Sequence, residues 1–272
     1  MEAISVFDML KIGIGPSSSH TLGPWRAAER FLRELKDSES LPRVRAVNVN
    51  LYGSLALTGQ GHGTDVAILM GLSGADPVTV PVEQVQELPQ KIAAEKTLRL
   101  DGEYPTFFDP ADHIFYHMYE SLPFHPNGMS LVAFDEGGHP LHQAVFYSVG
   151  GGFIVKEGEE IVGNSVDLPY PIESGQHLLQ YCRENDCAIA DIVWENEKAW
   201  RSEAEVDSGL WAIWEVMKSS VHRGCHTEGS LPGGLHVDRR AAAISRRILG
   251  DCAHMNGEEW LRCIRHCHKD FS

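Results

Sequence analysis

The chain has 272 residues, enough for one or two hydrophobic cores. It carries 23 Lys and Arg against 38 Asp and Glu, a formal net charge of −15, so the basic stripe that nucleic-acid binding needs is missing. No apolar run approaches the ~20 residues required to span a bilayer, and Met1-Glu2-Ala3 opens without the basic region or apolar core of a signal peptide.

The first segment with chemical content is Ser5 to Pro24. Gly15-Pro16 predicts a turn, and Ser17, Ser18, Ser19, His20 and Thr21 follow in one short loop. Trp25, Ala28, Phe31, Leu32 and Leu35 then share one face of a predicted helix. A helix needs one Ser or Thr as N-cap, and the loop holds more. The surplus hydroxyls, the free N–H groups and the helix dipole suit a carboxylate or phosphate. An ordinary Ser-rich cap is the plain alternative.

Val47, Val49 and Leu51 alternate with Asn48 and Asn50 and predict a half-buried strand. It runs into Tyr52-Gly53-Ser54 and then a glycine loop, Gly59-Gln60-Gly61-His62-Gly63, before a helix starting near Thr64 or Asp65. A histidine between glycines is poorly placed for core packing and well placed to reach into a site. The loop is neither a P-loop nor a dinucleotide fingerprint, since the spacing fits neither. Further on, Val78–Val82 predicts a strand and Val85–Leu100 a helix interrupted by Pro89. Met129–Phe134 and Ala144–Val149 predict a hairpin around Asp135-Glu136-Gly137-Gly138. From Ser174 onward the period is helical: Leu178, Leu179 and Cys182 share a face, as do Leu210, Ile213, Trp214 and Met217. The expected fold class is therefore α+β/α: a mixed α/β domain over 1–155, a linker over 156–172, and the start of an all-helical domain over 173–272.

Six cysteines are present. Cys263 and Cys267 lie four apart with His266 and His268 beside them, but there is no C-x-x-C and no common zinc or ferredoxin spacing. Free thiols are expected, and with the lack of a secretion signal they indicate a reducing cytoplasm.

Several motifs in order carry a family resemblance. Ser5–Pro24 and Tyr52–Asp65 resemble the iron–sulfur L-serine dehydratases, or L-serine ammonia-lyases. So do His125-Pro126-Asn127-Gly128-Met129, Tyr147–Ile154, Pro169-Tyr170-Pro171, Asn196-Glu197, and Gly229–Leu235 with Arg239-Arg240. Gln60 departs from the lysine usual in the family. The resemblance implies L-serine as substrate, a [4Fe–4S] cluster and a homodimer, while the acidic charge and the lack of a long apolar run lead to the expectation of no nucleic-acid and no membrane partner. It also implies that the cluster-binding cysteines lie beyond residue 272, so the chain is expected to be an incomplete and nearly inactive form.

Serine dehydration removes the α-proton and expels the β-hydroxyl, and the enamine becomes an imine that water converts to pyruvate and ammonia. Ser17, Ser18, Ser19 and Thr21 are the expected carboxylate donors. A base near neutral pKa is needed, and His62 is the first choice with His20 second. The helix start near Thr64 is expected to expose N–H groups that keep His62 neutral. Thr64, Asn127, Ser148, Gly150 and Gly151 complete the expected substrate-binding set. Asn127 and Ser148 read equally well as turn and strand-end residues. Two other readings remain. One is a non-catalytic small-molecule-binding or dimerising module, like the regulatory domains of some serine-pathway dehydrogenases. The other, a pyridoxal-phosphate dehydratase, lacks a lysine paired with a phosphate loop.

Overall fold

The computed structural model describes residues 4–159, 166–231, 237–249 and 259. The elements, in order, are α1 (Val6–Met9), α2 (Gly23–Asp37), β1 (Ala46–Tyr52), α3 (Gly53–His62), α4 (Thr64–Leu72), α5 (Val82–Glu95), β2 (Thr97–Leu100) and β3 (Tyr104–Phe107). They continue with α6 (Pro110–His113), β4 (Ile114–His117), β5 (Gly128–Phe134), β6 (Pro140–Gly150), β7 (Phe153–Lys156), α7 (Gly175–Glu184), α8 (Ile189–Glu197), α9 (Glu203–His226) and α10 (Ala241–Leu249). The chain divides into two compact units, Met1–Val206 and Asp207–Ser272.

In the first unit a five-stranded sheet has the order β4-β1-β5-β6-β7, and β2 and β3 form a separate ribbon. Only β1 and β4 run parallel. Val47, Val49 and Leu51 of β1 are buried on one face, as their alternation predicts. Against them pack Phe31, Leu32 and Leu35 of α2 with Ile68, Leu69 and Leu72 of α4. The apolar face expected of α2 is the buried face observed. The β5–β6 hairpin pairs Met129 with Phe146 and turns at Asp135, whose carboxylate accepts from the Gly137 and His139 N–H groups.

Two expectations are corrected. Val78–Val80 is a turn and not a strand: Asp76 accepts from the N–H groups of Val78, Thr79 and Val80, and α5 starts at Val82. The helix over Val85–Leu100 runs unbroken through Pro89 but stops at Glu95. Lys96 adopts φ 49°, and the next four residues pair as β2 with β3. Propensity did not signal a non-glycine left-handed stop there.

Asn196 and Glu197 at the end of α8 are buried and tie the last helices of this unit to its start. Glu197, 3% exposed, accepts from Ser5 Oγ and the Val6 N–H, both at 2.7 Å. Arg201 donates to both Glu197 and Ser5 and lies over the Phe7 ring. Asn196 exchanges two hydrogen bonds with the Tyr170 backbone. In the second unit, α10 follows a short antiparallel bridge between Ser230 and Asp238, and Arg246 pairs with Glu228. Pro232, Gly233, Gly234, His236, Cys252, Cys263 and Cys267 lie outside the described residues.

Phe31 is fully buried and stacks on His142, which donates to Glu34 of the same helix. Phe31→Ala should lower unfolding free energy by about 3–5 kcal/mol, read by urea denaturation.

Candidate active site

The hydroxyl-rich segment does not form a simple cap. Ser18–Leu22 is a turn of π-helix that runs directly into α2, and Ser17 caps it without a side-chain bond. Single π turns recur at functional sites because they splay side chains out of the helical register. Ser17 Oγ and Ser19 Oγ lie 3.3 Å apart, and Thr21 donates to the Ser17 carbonyl. Thr21 is buried, so its hydroxyl serves the turn, while Ser18 is exposed.

Close backbone approaches hold this turn from behind. A Cβ on Gly15, at φ 130°, would lie 2.5 Å from Thr21 Oγ1. One on Gly152 would lie 2.5 Å from the Leu22 side chain. Gly150, Gly151 and Gly152 all take positive φ in the β6–β7 turn, which therefore packs on the Ser17–Leu22 segment. A Cβ on Gly23 would meet Ser148 Oγ at 1.9 Å. Ser148 is 1% exposed and its hydroxyl has no partner; its backbone N–H and C=O pair with Asn127. Ser148 thus lies sealed behind the turn, not open to a ligand as expected. The Asn127 amide is likewise committed to the Ser148 carbonyl at 3.1 Å.

The glycine segment is not a loop. Gly59, Gly61 and His62 belong to α3, and only Gly63 takes positive φ, at 72°, as the break before α4. Gly59 admits the Thr64 hydroxyl, and a Cβ on Gly61 would meet nothing within 4 Å. His62 is the last residue of α3, and the helix start expected beside it is there: α4 begins at Thr64, directly after Gly63. The His62 Nδ1 donates to the Thr58 carbonyl at 2.8 Å. A carbonyl only accepts, so Nδ1 carries the proton and Nε2 is left as the acceptor of the neutral ring.

The two histidines meet. Their ring centroids are 4.9 Å apart. His20 Nδ1 bonds Ser19 Oγ at 2.9 Å, and its Nε2 bonds Ser54 Oγ at 3.0 Å. Thr64, fully buried, donates to the His20 carbonyl at 2.5 Å. Burial first and the neighbouring His62 second hold the His20 pKa below its ordinary 6.5, opposed by the hydrogen bond to Ser54. Sequence reasoning missed Ser54 and Thr58; both lie one helical turn apart on an α3 that was read as turn and loop. Burial first and the nearby Asp65 second push the Tyr116 pKa up to about 12, with Gln60 acting against them. Burial likewise raises Asp65. Ser54 also links the site to the His125-Pro126-Asn127 segment, its N–H donating to the Pro126 carbonyl, with Gly53 at φ 52° directly beneath.

Among the described residues no three His, Cys, Asp or Glu side chains gather as metal donors. Cys182, Cys187 and Cys225 are free thiols. The described residues therefore do not provide the ligand set of a cluster, and no chemical step below is routed through one.

Two measurements check this geometry. By NMR titration His20 should ionise below pH 6.5, and His62→Ala should raise its pKa by removing the neighbouring charge. The folded chain then binds fewer protons than the unfolded chain, so this contribution to stability is present above pH 6.5. It is lost as pH falls through the folded value. Gly23→Ala should cost about 1–3 kcal/mol in denaturant unfolding, because Ser148 cannot retreat from the added methyl.

Residues 5–159 match the serine dehydratase beta chain family model, and residues 184–268 match the serine dehydratase alpha chain model. L-serine dehydratase of Streptomyces coelicolor is 46% identical over 250 residues, 90% of this chain and 55% of that protein. L-serine dehydratase 1 of Escherichia coli is 41% identical over 90% of this chain and 54% of its own length. The Mycobacterium tuberculosis L-serine dehydratase is 44% identical over 90% of this chain and 53% of its own. The chain spans about half the length of the curated relatives it matches. With both family models matched in order, and the motif histidines meeting at one place, the chain belongs to the serine dehydratase family.

Proposed function

We propose that this chain supplies the substrate-binding half of an L-serine ammonia-lyase, converting L-serine to pyruvate and ammonia. The observation that carries the reading is the convergence of the Ser17–His20 turn with His62. It sets an acceptor nitrogen beside a cluster of hydroxyl and N–H donors.

In this reading Ser17, Ser18 and Ser19 hold the substrate carboxylate at the open end of the π turn, where helix N–H groups add to the field. His62 Nε2 takes the α-proton, and the Thr58 carbonyl keeps the proton on Nδ1 so that Nε2 is basic. His20, neutral at pH 7 and fixed by Ser19 and Ser54, orients the carboxylate or the amine. Thr21, Thr64, Asn127, Ser148, Gly150 and Gly151 position the backbone around the substrate, with their hydroxyl and amide groups largely spent on the fold. The electrons of the broken Cα–H bond form the Cα–Cβ double bond. The proton that His62 Nε2 took passes to the β-hydroxyl, which leaves as water, and the enamine tautomerises and hydrolyses to pyruvate and ammonia.

The family resemblance supports a [4Fe–4S] cofactor, a homodimer and a cytoplasmic setting; no helix among the described residues is long and apolar enough to cross a membrane. Residues 1–155 are proposed as the substrate domain, 156–172 as the connection, and 173–272 as the start of the cluster-bearing helical domain. The 272-residue chain alone should show little or no serine deamination.

In a form with the full length of the relatives, His62→Ala should lower kcat by about two to four orders of magnitude, with serine affinity less changed. His20→Ala should raise KM more than it lowers kcat. Near-normal kcat for His62→Ala would move the base to His20 or elsewhere. Activity that needs pyridoxal phosphate and survives iron chelation would overturn the reaction class. L-Serine binding in a full-length form that never turns over would favour the non-catalytic module.

A further inference from the structure

Helix α7 ends in a way that sets two cysteines against each other. Asp186 takes φ 49°, and the Cys187 N–H donates to the Cys182 carbonyl at 3.0 Å. A left-handed residue followed by this six-to-one hydrogen bond is a Schellman ending, in which the side chains at the two bonded positions pack together. Those positions are usually apolar. Here both are cysteine, both are partly exposed, and both are free thiols. The Cys182 thiol stands close enough to Cys187 to help raise its pKa.

We infer that Cys182 and Cys187 form a dithiol site that a low-molecular-weight disulfide oxidises to an intrachain disulfide. The Cys182 thiolate attacks one sulfur of the external disulfide, forming a mixed disulfide and releasing one small thiolate. Cys187 then gives up its proton to that thiolate. Its sulfur attacks the Cys182 sulfur and expels the second small thiolate, which takes from solvent the proton that Cys182 had lost. Two protein thiols are oxidised by two electrons, and one external disulfide is reduced to two thiols. Cys187 is the partner that keeps its proton until the second step. Partial burial, the Cys182 thiol and the Asp191 and Asp186 carboxylates hold its pKa above the ordinary range. The ring that closes is already held by the backbone bond, so little further chain entropy is lost.

Arg183 separates the two cysteines, so trypsin places them on peptides 157–183 and 184–198. The chain, equilibrated in a reduced/oxidised glutathione buffer and quenched with iodoacetamide, should yield these two peptides disulfide-linked. Cys225 should be recovered alkylated or as a glutathione adduct. In urea the ratio of linked pair to mixed disulfide should fall by about tenfold or more, because the held geometry sets the effective concentration. Cys187→Ser should leave Cys182 as the glutathione adduct. Recovery of both cysteines separately, with the chain folded and the buffer oxidising, would overturn the inference. So would a ratio unchanged by urea, or a link from either cysteine to Cys225.

Discussion

The site depends on how closely the Ser17–Leu22 turn can lie against the chain behind it. Side chains at 15, 23 or 152 would collide with Thr21, Ser148 and Leu22 respectively. Glycine at all three lets a π turn sit flush on the ends of β6 and β7. Two of the three also need positive φ, which glycine alone adopts without strain. From that seat His20 reaches Ser54 at the first turn of α3 and His62 at its last. The buried unpartnered hydroxyl of Ser148 is a cost of this close fit, of the order of 1–3 kcal/mol for an unsatisfied buried group.

Electrostatics then sort the polar groups. Two imidazoles 4.9 Å apart disfavour double protonation, and burial falls on His20. The Thr58 carbonyl settles the tautomer of His62. Asp65 and Tyr116 are half-buried, and that partial burial raises both pKa values, with Gln60 acting against the shift of the phenol. A lysine at 60 would place a charge among these groups, so the departure from the family pattern is an electrostatic change in the packing around α3 and α4.

Within the first unit, Glu197 at the end of α8 ties that helix to the start of the chain. A carboxylate 3% exposed survives because Ser5, the Val6 N–H and Arg201 all donate to it. Removing any one donor would leave a charge under-solvated. That is a physical reason for the Ser5-Val6-Phe7-Asp8 and Asn196-Glu197 motifs, nearly two hundred residues apart, to occur together.

Much of the frame was legible from periodicity: the buried face of α2, the alternation of β1, the β5–β6 hairpin and the change to helices after Ser174. The order of motifs identified the family, and the density of hydroxyls and histidines marked Ser17–His20 and His62 as chemistry. These are local properties, written in spacing and residue type. The sequence did not show that the Gly59–Gly63 stretch is helix, since tertiary packing overrides the low helix propensity of glycine. It did not show the left-handed Lys96 that ends α5, or that Ser148 is sealed and Thr21 spent on its own turn. Nor did it pair His20 with Ser54, His62 with Thr58, or Glu197 with Ser5. Each of these depends on which backbone comes within hydrogen-bond reach of which side chain. That is decided only when the helices have packed on the sheet.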